Sequence, residues 1–203
     1  MSELKDALAD IEAIRRRMAA GTVFRGFGPL ALGATALVAL ATATLQSVFP
    51  PGTPLAFFVA WIVAAILCAA LIAAETVVRT GRTHGGLADA MLHQAIQHFL
   101  PAGVAGGVFA AVIGRFSPDS AWLIPGLWQV LVGLGVFAAA PSLPKGAVLG
   151  AAWYFVCGFG VMMMMAARPG ELSPWAMALP FAIGQTILAL VVRRAAENGY
   201  DEI

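Results

Sequence analysis

The sequence predicts an all-α, polytopic transmembrane bundle of about six helices, preceded by an N-terminal amphipathic helix. Three observations predict it. Hydrophobic residues make up 60% of the 203-residue chain and charged residues only 11%, where a soluble domain carries about 45–50% and about 25%. So few charges cannot cover a water-facing surface of that size. Six apolar stretches reach or approach the roughly 20 residues that about 30 Å of hydrocarbon demands at ~1.5 Å per residue. These runs are continuous rather than alternating, which argues against a transmembrane β-barrel.

Residues 1–20 come first. Leu4, Leu8, Ile11, Ile14 and Met18 recur at helical spacing and form one apolar stripe, with Glu3, Lys5, Asp6, Asp10, Glu12, Arg16 and Arg17 off it. Acids crowd the start and bases the end, which suits the helix macrodipole. The pattern predicts a cytoplasmic interfacial helix with Arg15–Arg17 among anionic headgroups, or a docking helix for a partner. It does not read as a secretory signal, which opens with a short basic region before an apolar core of about 7–15 residues.

The transmembrane domain is expected over residues 21–198, with spans at Phe27–Val48, Leu55–Val78, Ile96–Ile113, Ala121–Ala140, Ala147–Ala167 and Trp175–Val192, and a tail at 199–203. The connections are short and rich in breakers: Pro50-Pro51-Gly52, Ser117-Pro118-Asp119-Ser120, Pro141-Ser142-Leu143-Pro144 and Pro169-Gly170. Loops this short force neighbouring helices to run antiparallel.

Orientation follows from Lys and Arg. With the N-terminus inside, the inner segments hold Lys5, Arg15, Arg16, Arg17, Arg25, Arg79, Arg82, Lys145, Arg193 and Arg194, and the outer loops only Arg115 and Arg168. Both termini are therefore expected in the cytoplasm and the protein in the cytoplasmic (inner) membrane. A formal net charge of +1 gives no field that points to nucleic acid.

The candidate polar site is the stretch holding all three histidines, His84, His93 and His98. Read as a helix, Leu87–Leu100 sets Asp89, His93 and Gln97 on one line, with His98 beside it. Asp89 could orient His93, and a site completed by Gln97 or His98 could hold a metal, a haem or an anionic headgroup, or sense pH. The alternative is a wet inner end of the third span. His93 and His98 are five residues apart and point about 140° from each other, whereas one ion on one helix face favours a spacing of four. No cofactor is therefore predicted; haem or metal at His93 or His98 is the exception to be tested. Glu75 is the deepest acid. It is expected at the inner boundary, paired with Arg79 at i+4 or forming a vestibule with Asp89.

No charge falls near mid-bilayer, which counts against an ion- or proton-coupled pump. The polar residues there are mild. Gln129, Gln185 and Thr186 are candidates for interhelical hydrogen bonds, worth about 0.6–2 kcal/mol each. Gly103 with Gly107, and Gly146 with Gly150, are GxxxG pairs expected at helix contacts. Cys68 and Cys157 are far apart inside apolar runs and read as small buried hydrophobes. No nucleophile–base pair and no set of metal ligands is visible.

No signature of a family is present. An amphipathic leading helix followed by six spans is similar in layout to the permease subunits of some ABC exporters, and layout does not carry function. The reading is a non-enzymatic transport or permease-like subunit, surrounded by lipid, acting as a homo-oligomer or with a membrane or cytoplasmic partner. The alternative is a membrane-embedded sensor or regulatory protein using the His84–His98 segment.

Overall fold

The structure, a computed structural model, describes residues 28–81, 87–140, 143–144, 146–168 and 171–198, without the side chains of residues 79–96 and 98. The predicted leading helix (1–20), His84 and the tail (199–203) lie outside the described residues.

Six helices are long and apolar enough to cross a membrane, and the described residues contain no strand. The chain is a multi-pass membrane protein. The helices are α1 (Pro29–Val48), α2 (Pro54–Gly81), α3 (Leu87–Phe116), α4 (Ile124–Ala139), α5 (Ala147–Ala166) and α6 (Pro174–Asn198), with a 3-10 turn at Pro118–Leu123 leading into α4. Proline opens α1, α2, the 3-10 turn and α6, where its missing N–H is one of the donors a helix start leaves unmet anyway. An even number of passes brings the start of α1 and the finish of α6 to one end of the bundle, here called proximal. The loops around residues 50, 117 and 170 lie at the distal end.

Three helices outrun their predicted spans. Helix α3 has 30 residues but an apolar stretch of only 18, Phe99–Phe116. Its first 12 residues therefore carry the helix beyond that stretch, about 18 Å at the usual rise. Helices α2 and α6 are also longer than their spans at the same end.

Packing is led by α1 on α6 and α4 on α5, with α3 against α4 at the edge. Helix α1 turns Ala31, Thr35, Ala39 and Ala43 inward at a spacing of four, so a neighbouring backbone can approach closely. Between α4 and α5 the approach is closer still. A Cβ on Gly126 would collide with the Gly158 carbonyl oxygen, and one on Gly158 would lie 2.8 Å from the Gly126 carbonyl oxygen. One core cluster joins Ala43, Phe57, Trp61, Ile124 and Met177 towards the distal end; a second joins Leu32, Val136, Ala151, Tyr154 and Leu188 towards the proximal end. Helix α3 is the least covered: 6% of its apolar stretch is buried, against 39% in α1, α4 and α6.

Candidate functional site

The buried amides Gln129 and Gln185 gather at α6, which carries Pro180 in its interior. Proline has no N–H, so the carbonyl four residues earlier, that of Ala176, loses its helical partner. In hydrocarbon no water can replace it. Gln129 of α4 does: its Nε2 donates to the Ala176 oxygen at 2.8 Å. The next carbonyls past the break are also engaged from α5. Trp153 Nε1 donates to Pro180 O at 2.8 Å, and Tyr154 hydroxyl donates to Phe181 O at 3.2 Å. Gln185, one turn further along α6, donates from Nε2 to the Tyr154 hydroxyl at 3.1 Å.

These bonds fix which way both amides face, since only their nitrogens can serve a carbonyl or a hydroxyl already donating its proton. The amide oxygens are left inside. Gln129 Oε1 and Gln185 Oε1 are buried with no hydrogen-bond partner among the described residues, on residues only 4% and 7% exposed. Tyr154 is fully buried, and a Cβ on Gly184 would run into its ring carbon Cζ. Glycine is thus what lets the tyrosine ring approach α6 closely.

Thr186 is a correction. Its hydroxyl donates to Ala182 O within α6 at 2.8 Å, the local back-bond that threonine makes to the preceding turn, and not to another helix. The glycine pairs differ from each other. Gly146 and Gly150 face Val191 and Leu188 of α6, at 3.0 and 2.6 Å from a would-be Cβ. Gly103 and Gly107 have nothing within 4 Å among the described residues, and it is Gly106 between them that receives Trp128 of α4. Trp128 Nε1 donates to the Gly106 carbonyl at 3.1 Å.

Glu75 does something the sequence did not suggest. Its Oε2 accepts the backbone N–H of Ala31, in the first turn of α1, at 2.7 Å. The expected Arg79 and Asp89 partners have side chains outside the described residues. Asp89, His93 and His98 fall on the part of α3 that runs past its apolar stretch; Gln97 beside them is exposed. Among the described residues no group of three or more His, Cys, Asp or Glu could hold a metal, and Cys68 and Cys157 are unbridged.

Sequence reasoning missed Tyr154, Trp153 and Gln46. The last ties the α1–α2 hairpin, donating to Phe57 O at 3.1 Å and accepting from Trp61 Nε1 at 3.0 Å. Pro180 inside an apolar span announces one orphaned carbonyl, that of Ala176, and so points to Gln129; the bonds of Trp153 and Tyr154 to the Pro180 and Phe181 carbonyls had no such signal. No known protein family, no characterised protein and no solved structure matches the chain.

Proposed function

We propose that the protein is a non-enzymatic, permease-like transport subunit of the cytoplasmic membrane, with both ends in the cytoplasm, acting as a homo-oligomer or with a partner at its proximal face. The observation that carries this reading is the pair of buried amide oxygens, Gln129 Oε1 and Gln185 Oε1, beside a proline-interrupted helix. A buried acceptor without a donor costs about 1–3 kcal/mol, and a solute bearing N–H or O–H groups would relieve that cost. A helix whose backbone is met by neighbouring side chains can bend at its break without exposing carbonyls to lipid. The seam is uncharged, so the reading places energy coupling in a partner rather than in an ion gradient.

The test is aqueous access. With Cys68 and Cys157 replaced by Ala, Gln185→Cys is expected to react with a membrane-impermeant methanethiosulfonate from at least one side of sealed vesicles. Failure to label from either side, in protein that retains its thermal transition, would mean a dry seam and end the transport reading.

A sensor or regulatory role is the second reading. It is favoured by the continuation of α3 past its apolar stretch with Asp89, His93, Gln97 and His98 on it. Stability and oligomeric state that are unchanged between about pH 5 and 8, where histidine titrates, would remove it.

A further inference from the structure

Helix α1 lacks a cap of its own. Its N-cap residue is Gly28, which makes no side-chain cap bond; Pro29 follows, and no acid lies in the first turn. The first-turn N–H groups of a helix carry partial positive charge and need acceptors. The Leu32 N–H reaches the Gly28 carbonyl at 3.3 Å, and the Ala31 N–H is met by Glu75 from the facing helix α2. Gly28 is shaped to that contact, because a Cβ there would fall within the Glu75 carboxyl group. An acid, a glycine and an uncapped helix start thus fit one another, although 44 residues separate Glu75 from Ala31.

We propose that the Glu75 carboxylate is a latch that holds the first turn of α1 onto α2, and that its release lets this turn move while the rest of α1 stays packed. The remainder of α1 is held by other means: the small residues Thr35, Ala39 and Ala43, and Gln46 bonded to α2. Gly28 is the first described residue and directly precedes the latched turn. Helix α2 runs on from Glu75 to Gly81, and α3 begins at Leu87. The latch therefore lies where motion of α1 would be passed to the α2–α3 connection. This is a joint in the fold and stands whether or not the protein transports anything.

The experiment measures two spin-label distances in the full chain, with Cys68 and Cys157 replaced by Ala. One pair is Leu30→Cys with Leu149→Cys, reporting the start of α1 against α5. The other is Leu45→Cys with Phe159→Cys, reporting the far end of α1. All four positions are exposed on the bundle surface. Glu75→Ala is expected to broaden the first distribution and shift it to longer distance while leaving the second unchanged. Gly28→Ala, which displaces the carboxylate, is expected to do the same, and to add nothing when combined with Glu75→Ala. Glu75→Gln keeps an acceptor without the charge, and should fall between native and Glu75→Ala; it also serves if the alanine variants fail to fold. An unchanged first distribution in Glu75→Ala and Gly28→Ala, or equal broadening of both pairs, would overturn the proposal.

Discussion

Gln129 gives its amide N–H to the carbonyl of Ala176 at 2.8 Å, and that carbonyl is the one Pro180 leaves without a backbone donor. The glutamine in α4 thus makes good what the proline in α6 removes, across the helix interface. Gln129→Leu is expected to lower stability: it strands the Ala176 carbonyl, at a cost of about 1–3 kcal/mol, offset in part by removal of Gln129 Oε1, which has no partner among the described residues. Pro180→Ala restores an N–H to the position, so the loss from Gln129→Leu should shrink in that background. Unfolding of the four proteins in detergent, followed by circular dichroism, gives the coupling. An equal loss with and without Pro180 would mean that the proline and the glutamine act independently.

Tyr154 bridges α5 to α6 through one hydroxyl, donating to Phe181 O and accepting from Gln185 Nε2. Tyr154→Phe keeps the ring and removes both bonds, for an expected loss of about 1–3 kcal/mol. Gly184→Ala keeps both partners but drives a methyl into the ring. It should cost about as much or more, since overpacking forces backbone or rotamer shifts worth about 1–3 kcal/mol. The thermal midpoint of purified protein reads both. A Tyr154→Phe protein as stable as the native would mean that this bridge contributes nothing net.

The glycines make a sharper contrast. Gly126 and Gly158 stand in mutual backbone contact, while Gly103 and Gly107 face open space among the described residues. Gly126→Ala should destabilise the bundle clearly. Gly103→Ala should be neutral or stabilising for the single chain, because alanine gains up to about 1 kcal/mol of helix propensity over glycine. A Gly103→Ala loss as large as that of Gly126→Ala would show that the exposed pair is in contact with something in the folded protein, and size measurement of the variant would reveal whether an assembly has dissociated.

Much of the fold could be read from the sequence, for reasons visible in particular residues. Apolar runs bounded by proline and glycine located all six spans, and the first and fifth meet the structure at Val48 and Ala147. The polar stretch from Asp89 to His98 kept helical periodicity, and α3 does begin at Leu87. What could not be read was partnership. Gly103-Gly107 and Gly146-Gly150 are the same motif in the sequence, yet only the second pair packs against another described helix, because motif spacing places residues on a face without saying what the face meets. The Glu75 contact with α1 was hidden for the same reason: Arg79 is four residues from Glu75, whereas Ala31 is its neighbour only once α1 and α2 lie side by side. Thr186 was misassigned because a hydroxyl in a helix has an acceptor within its own preceding turn, which an amide such as Gln185 cannot reach so readily.

The intimate pairing of α1 with α6 has a consequence for biogenesis. Of the six membrane-crossing helices, α1 comes first in the chain and is the least apolar, and its main neighbour, α6, comes last. Until α6 arrives, the Ala31–Thr35–Ala39–Ala43 stripe has only lipid, α2 or an insertion chaperone to lie against. The contact between α1 and α6 can form only once α6 has entered the membrane. Chains truncated before Pro174 would leave that stripe without α6, its main neighbour among the described helices.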